Sequence, residues 1–160
     1  MAISEIDPDA IIAYAALRDC DLDKELDVTI EVAKEILMNK NVGWDFQKQK
    51  SSIPRMKKDK LIKLYNADKF SNNLGDVSII QTDTIVDHDL FTMSSPCTDY
   101  SVAGKGEGGD WQCLDCHKKF NPIESKFKTI CTVCGSENIK KTRSSLLFEC
   151  AKVIETKKPK

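Results

Sequence analysis

The residues best suited to chemistry are four cysteines in the last third of the chain, which form two Cys-x-x-Cys pairs. Fourteen residues separate the first pair from the second. Each pair can present two thiolates from one tight turn, and two such turns can surround a metal ion tetrahedrally. The predicted metal ligands are Cys113, Cys116, Cys131 and Cys134.

One structural zinc ion is the predicted occupant, because zinc is the usual partner of four thiolates. Iron in a rubredoxin-like site is the alternative. Four protein ligands leave no open coordination position, which argues against a catalytic metal. The run from Cys113 to His117 also matches the pattern for covalent haem attachment, but a haem would leave the second cysteine pair unexplained.

The neighbours of the cysteines indicate how this site would be enclosed. Trp111 precedes the first pair and Phe120 follows it, so both rings can pack over the metal. Gly135 permits the positive φ that the turn after the second pair often needs. The apolar run over 144–154 is predicted to be a strand, which would complete a three-stranded sheet around the ion.

A second candidate site is a cluster of seven basic residues within 48–63, where Asp59 is the one acidic residue. Lysines can contact phosphates, and the nearby Trp44, Phe46 or Tyr65 could stack on bases, so the cluster could bind nucleic acid without sequence preference. A solvated helix face is the alternative explanation. The predicted contact residues are Lys48, Lys50, Arg55, Lys57, Lys58, Lys60 and Lys63.

An acidic patch around His88 is the third group that could do chemistry. Asp83, Asp87, His88 and Asp89 carry side chains that suit divalent metal ions. Turns at strand ends explain the same residues, because Asp is common there. The sequence contains no phosphate-binding glycine loop, no Gly-x-Ser-x-Gly elbow and no His-Glu-x-x-His segment, so the chain is predicted not to be an enzyme.

Three helices are predicted within a helical module over residues 1–70. Asp7-Pro8 is a typical helix start, with Asp7 as N-cap. A second helix is expected because four apolar residues share one helical face, and a third is expected from about Ser52. The shared face consists of Leu26, Ile30, Ala33 and Leu37.

The residues after 70 are predicted to form strands, a linker and a metal-binding domain. Residues 71–100 are rich in β-branched side chains, which predict short strands over 77–80, 84–86 and 90–93. Four glycines make 101–110 a flexible linker. A metal-binding domain over 111–156 and a basic tail over 157–160 complete the predicted organisation.

The composition, 41% hydrophobic and 31% charged, fits a soluble globular protein. No apolar run approaches the roughly 20 residues that cross a bilayer, and the N-terminus lacks a signal-peptide pattern. An intracellular location, cytoplasmic or nuclear, is therefore expected, with no membrane partner. Cys20, Cys97 and Cys150 would then be free thiols.

Residues 109–155 resemble a zinc ribbon of the type found in transcription factors, RNA polymerase subunits and metallochaperones. The likeness rests on the two cysteine pairs and on the Gly-Ser that follows Cys134. The layout is also similar to the zinc domain of HypA-type nickel-insertion proteins. Those begin Met-His-Glu, whereas this chain begins Met1-Ala2-Ile3, which argues against nickel delivery.

The resemblance covers 109–155 only and implies a C-terminal zinc ribbon with a small antiparallel sheet, while residues 1–108 resemble no family. Together with the patterns in the earlier residues, it predicts an α+β fold with a small N-terminal helical module and a short β-containing middle segment. The expected function is a non-catalytic accessory or adaptor subunit with protein partners in a larger assembly, such as a transcription or nucleic-acid-processing machine. The alternatives are a metallochaperone that resembles the nickel-insertion proteins and a structural component of a multi-subunit particle.

Overall fold

The computed structural model describes residues 2–46, 48–94, 109–126, 128–142 and 144–159. The chain divides into two compact units, Met1–Ile80 and Gln81–Lys160. The predicted linker over 101–110 falls within the second unit, and its residues 101–108 lie outside the described ranges. None of the helices in the described ranges is long and apolar enough to cross a membrane.

Each unit has its own short elements. The first contains α1 (Pro8–Ala16), α2 (Ile30–Asn39), β1 (Trp44–Asp45), β2 (Lys50–Ser51), a 3-10 helix (Ile53–Arg55) and α3 (Lys58–Phe70). The second contains a 3-10 helix (Thr82–Thr84), β3 (Trp111–Cys113), β4 (Lys119–Phe120), β5 (Ile139–Lys140) and α4 (Leu146–Lys157).

The first helix begins where the sequence predicts it. Asp7 is the N-cap of α1, and its carboxylate accepts hydrogen bonds from two backbone amides of the first turn. Pro8 occupies the first helical position, where its missing amide costs no helical hydrogen bond. Ile11 and Ala15, one turn apart, are fully buried. The predicted start of this helix is confirmed.

The second helix is shorter than the apolar residues at helical spacing predict, because it begins after Leu26. Thr29 caps α2 with its side-chain oxygen, which accepts a hydrogen bond from the Val32 amide. Leu26 therefore precedes the helix, although it packs against the same core. Ala33 and Leu37 are fully buried. The apolar spacing identified the buried face, whereas the capping threonine sets where the helix starts.

The helix predicted from about Ser52 is divided into two pieces. β1 and β2 pair antiparallel as a hairpin, and the 3-10 helix follows it directly. Met56 and Lys57 both have extended backbone, which separates the 3-10 helix from α3. α3 consequently begins only at Lys58.

The core of the first unit lies between these helices, with α1 and α2 both in contact with α3. Removing such apolar side chains from water contributes roughly 25 cal/mol per Å² of buried surface. The fully buried members are Ile11, Ala15, Ala33, Leu37, Val42, Ile53, Leu61, Leu64 and Ala67.

A buried polar network fastens the residues before α1 to the end of α3. The Asn73 side chain accepts hydrogen bonds from the amides of Glu5 (3.0 Å) and Gly75 (3.1 Å), and it donates to the Glu5 carbonyl (2.9 Å). It also donates to the Asp68 carboxylate at 2.9 Å. The second carboxylate oxygen of Asp68 binds Lys40 Nζ at 2.6 Å. Asn73 and Asp68 can remain buried because each is paired.

The strands predicted over 71–100 are wrong for the described part, 71–94. Residues 77–79 form a turn, in which the Asp76 carboxylate accepts hydrogen bonds from the amide and the hydroxyl of Ser78. Such local bonding competes with a strand ladder. Thr82–Thr84 is a 3-10 helix. A β-branched composition alone does not make a strand, because a strand needs a partner strand. Among the described residues, no strand pairs with 77–94.

The sheet of the second unit is antiparallel, with the strand order β4-β3-β5. Trp111 lies opposite Phe120 across β3 and β4, and Cys113 lies opposite Ile139 across β3 and β5. Together with Cys131 these residues form a small apolar cluster. The central strand therefore presents both the buried tryptophan and the first predicted metal ligand.

The strand predicted over 144–154 is also wrong, because most of this segment forms α4. Leu, Glu, Ala and Lys favour a helix and are frequent here. Glu149 faces inward at 4% exposure, and its carboxylate binds Lys141 at 2.9 Å and Lys152 at 2.8 Å. The third strand of the sheet is Ile139–Lys140 instead.

Replacing Leu37 by alanine is expected to lower the free energy of unfolding by about 2–5 kcal/mol, because the substitution leaves a cavity in the core. Leu17→Ala is the matched control, since Leu17 is 86% exposed, and its effect should stay within about 0.5 kcal/mol. Urea denaturation followed by circular dichroism measures both. Equal losses would contradict the position of Leu37 in the core.

Candidate metal centre

Two backbone turns of the same form present the four cysteines. The Cys113 amide donates to the Lys118 carbonyl at 2.9 Å, and the Cys131 amide donates to the Ser136 carbonyl at 2.7 Å. Each bond closes a loop around one Cys-x-x-Cys pair. In the second loop Gly135 has a φ of +74°, in agreement with the predicted need for a glycine.

The four sulfur atoms converge between these turns. Cys113 Sγ lies 3.6 Å from Cys134 Sγ, and Cys116 Sγ lies 3.5 Å from Cys131 Sγ. All four sulfurs lie within 4.8 Å of one another. Both short contacts join one turn to the other, so each predicted ligand faces a ligand from the opposite pair. This arrangement can hold one metal ion between four sulfurs.

Backbone amides point at two of the sulfurs. The Cys116 amide lies 3.5 Å from Cys113 Sγ, and the Val133 amide lies 3.4 Å from Cys131 Sγ. Amides near Cys134 and Val133 lower the pKa of Cys131 to about 6. The Ser136 amide lowers the pKa of Cys134, but the contact with Cys131 opposes it and raises that pKa to about 12.

Aromatic packing covers one side of the site, as the sequence predicts. The rings of Trp111 and Phe120 meet edge to face, with centroids 6.3 Å apart and planes at 80°. Lys141 Nζ lies 4.4 Å from the centre of the Trp111 ring on the side of α4. Cys113 and Cys131 are buried, whereas Cys116 and Cys134 are exposed. The site is therefore closed toward the sheet and open at its rim.

Asp115 links the two turns without touching a sulfur. Its Oδ2 accepts a hydrogen bond from Ser136 Oγ at 2.5 Å, and its Oδ1 accepts one from Asn138 Nδ2 at 2.9 Å. These bonds lower the pKa of Asp115, with the Ser136 bond as the largest cause. Because Asp115 belongs to the first turn and its partners follow the second, the carboxylate holds the two cysteine pairs in register.

The acidic patch around His88 does not form a metal cluster. His88 Nδ1 contacts the Val86 carbonyl at 2.9 Å, and Asp87 pairs with Lys157 at 3.2 Å. Within the described ranges, the four cysteines are the one group of His, Cys, Asp and Glu side chains close enough to share an ion. His117 is exposed beside the site and is not a member of that group.

The seven basic residues predicted to contact nucleic acid fall into two sets. Three are held by carboxylates, in the pairs Lys48–Asp45 at 3.0 Å, Lys60–Asp9 at 2.6 Å and Lys63–Asp23 at 3.5 Å. The other four are exposed, one in β2, one in the 3-10 helix that follows it and two at the start of α3, and they have no salt bridge to another described residue. We call these four the basic patch: Lys50, Arg55, Lys57 and Lys58.

The three aromatic residues near this basic cluster differ in their exposure to solvent. Tyr65 is only 6% exposed, and its hydroxyl donates to the Asp27 carboxylate at 3.1 Å, so its ring cannot stack on a base. Phe46 is 51% exposed. Of the three predicted stacking residues, Phe46 is therefore the most accessible, and Trp44 is half-buried.

The comparisons with known proteins point to one kind of enzyme. The family model of C-5 cytosine-specific DNA methylases matches residues 37–114. The chain is 32% identical to the type II methyltransferase M2.ScrFI of Lactococcus lactis subsp. cremoris, across 100% of this chain and 38% of that relative. It thus spans about two fifths of that relative's length.

Two phage proteins are similar over a shorter stretch. The orphan methyltransferases M.SPBetaI of Bacillus phage SPbeta and M.Phi3TI of Bacillus phage phi3T are each 37% identical to the chain, over 55% of this chain and 20% of the relative. No solved structure gives a significant match.

These similarities correct the predicted identity. The recognition of the chain as a zinc-ribbon protein is wrong, and so is the expectation that it is not an enzyme, because the matched family and the relatives are DNA-methylating enzymes. The adaptor, the metallochaperone and the structural particle component conflict with the same findings.

The predicted function was wrong because two Cys-x-x-Cys pairs are compatible with many kinds of protein. Coordination geometry sets the spacing of two Cys-x-x-Cys turns, so the spacing carries no information about the activity of the surrounding protein. The family match ends at residue 114, so it includes Cys113 and none of the other three predicted ligands. Most of the segment that is informative for function, residues 37–112, precedes the four cysteines.

Replacing Asp115 by alanine is expected to loosen the cysteine turns, because Ser136 and Asn138 lose their shared acceptor. The urea midpoint of the Trp111 emission change should fall, measured in a Trp44→Phe background so that one tryptophan reports. Glu124→Ala removes an exposed carboxylate of the same unit and is the control. An unchanged midpoint in Asp115→Ala would contradict the linking role.

Proposed function

We propose that this chain functions in the methylation of DNA at C-5 of cytosine, with S-adenosylmethionine as the methyl donor. The observation that carries the proposal is the match of residues 37–114 to the family model. The identity of 32% to a type II methyltransferase along the whole chain supports it independently. DNA is the partner that follows from this function.

The chemistry of the reaction identifies a candidate nucleophile. C-5 of cytosine is a weak nucleophile until a group adds to C-6 and raises the electron density at C-5. C-5 can then take the methyl group from the sulfonium of the donor. Loss of the C-5 proton and departure of the added group restore the ring. A cysteine thiolate suits this role, because it attacks well at neutral pH and can also leave.

Two cysteines lie in the matched segment, Cys97 and Cys113. Cys113 is buried in the sulfur cluster, with Cys134 Sγ 3.6 Å away, and is not available to a base. We therefore assign the attacking thiolate to Cys97. This residue lies outside the described ranges, so the assignment rests on the sequence and on the exclusion of Cys113.

The basic patch is the proposed DNA contact of the first unit. Its four members lie within the matched segment and have no carboxylate partner among the described residues. Cations that are already paired gain less from a phosphate, because they must give up a partner first. Binding by such a patch would be strongly salt-dependent and would not discriminate between sequences.

The methyltransferase proposal predicts that the complete reading frame containing this chain produces 5-methylcytosine in a bacterial host without cytosine methylation. Hydrolysed genomic DNA, analysed by mass spectrometry of nucleosides, measures the product. Cys97→Ala should return the product to the level of the empty vector, because no thiolate can then add to C-6.

Cys150→Ala is the matched control and should leave the product in place. A soluble wild-type protein that yields no 5-methylcytosine in cells, and no methyl transfer to DNA with saturating S-adenosylmethionine in vitro, would contradict the proposed function. Full product from Cys97→Ala would contradict only the assignment of the nucleophile.

The double substitution Lys57→Gln and Lys58→Gln is expected to weaken binding of duplex DNA by the chain. The slope of the logarithm of affinity against the logarithm of salt concentration should become shallower by about 2, because two phosphate contacts are lost. Fluorescence anisotropy with labelled duplex DNA at several salt concentrations measures this slope.

Lys60→Gln with Lys63→Gln changes the net charge equally but removes cations that Asp9 and Asp23 already hold. This control should alter the slope less. Equal changes in the two double variants would show that only net charge matters and would exclude the basic patch as a specific contact.

A further inference from the structure

We infer that Cys113, Cys116, Cys131 and Cys134 bind one zinc ion that has a structural role. This inference goes beyond methyl transfer and does not depend on it. The family match covers only Cys113 among these residues, so the methylase similarity does not supply a metal site.

The sulfur positions fit a tetrahedral ion. Zinc–sulfur bonds of about 2.3 Å in a tetrahedron place the sulfurs about 3.8 Å apart. The two shortest separations are 3.5 and 3.6 Å, and the whole set lies within 4.8 Å. An ion at the centre would therefore need only small movements of the side chains. A disulfide requires about 2.05 Å between sulfurs, so it would draw each pair much closer together.

The surrounding fold needs a further source of stability. The three strands comprise only three, two and two residues. Their apolar cluster consists of Trp111, Phe120, Cys113 and Cys131, with Ile139 packed against it. Isolated sheets of this size are not stable in water, and small segments with a poor core commonly depend on a bound metal. Two of the four buried cluster members are themselves proposed ligands, so the ion would complete the core.

The four sulfur ligands, two of them from exposed cysteines, favour zinc in a structural role. Four thiolates fill a tetrahedral ion and leave no position for a substrate or a water molecule. Cys116 and Cys134 lie at the exposed rim, where a redox-active iron would meet solvent directly. Zinc has no redox chemistry and tolerates that position.

The ion would also determine the path of the chain after the family-matched segment. Cys113 lies at the end of that segment, and the other three ligands follow it. Asp115 already links the two turns through Ser136 and Asn138, so the first cysteine pair meets the second in a prepared geometry. The metal would then fasten β3, at the end of the methylase match, to the two strands that follow it.

Metal analysis of the 160-residue chain tests this inference. The chain is purified under reducing conditions without added metal, and plasma mass spectrometry should find about one zinc per chain. Cys116→Ser and Cys134→Ser should each lose most of the zinc when dialysed against a chelator. The matched controls, Cys20→Ser and Cys150→Ser, lie outside the cluster and should retain it.

Cobalt replacement keeps the test valid if a cysteine variant fails to fold. The wild-type chain loaded with Co²⁺ should show the intense visible absorption of tetrahedral cobalt with sulfur ligands, and zinc should displace it. Four free thiols in a folded, metal-free wild-type chain would overturn the inference. Iron in place of zinc, or full zinc retention by Cys134→Ser, would also overturn it. None of these measurements uses DNA or a methyl donor, so they stand apart from the outcome for methyl transfer.

Discussion

The convergence of four cysteine sulfurs from two turns is the constraint on which the three-stranded sheet depends. The strands are too short to hold each other by backbone hydrogen bonds alone. What keeps them aligned is the pairing of the turns, with sulfurs 3.5 and 3.6 Å apart and the Asp115 carboxylate between them. Trp111 and Phe120 then exclude water from one side, which strengthens every polar contact there.

The first unit is stabilised in a different way. Its stability comes from apolar burial among three helices, and a buried polar network at Asn73 and Asp68 fastens the N-terminal residues to α3. Salt bridges on its surface pair Lys60 and Lys63 with carboxylates, whereas the basic patch has no salt bridge to a described residue. Ion pairing thus limits which cations would be available to DNA phosphates.

The segment similar to DNA methylases and the proposed metal site overlap only at their boundary. The methylase similarity lies over 37–114, whereas the sulfur cluster reaches from Cys113 to Cys134. The four cysteines predicted their own arrangement but not the activity, because a closed set of four thiolates is compatible with many host proteins. Cys97, predicted from the sequence to be a free thiol, is the residue that we propose as the attacking thiolate.

Features that depend on neighbouring residues follow from the sequence alone. Asp7-Pro8 starts α1, and the spacing within each cysteine pair sets two similar turns, the second of which has Gly135 at its positive φ, because hydrogen bonds and φ preferences act over a few residues. Only the tertiary structure decided the features that need a distant partner. Most of the segment over 144–154 belongs to α4, whose buried Glu149 binds Lys141, and the β-branched run after Asp76 pairs with no strand among the described residues. Both outcomes depend on which surface lies opposite, and local preference carries no information about that surface.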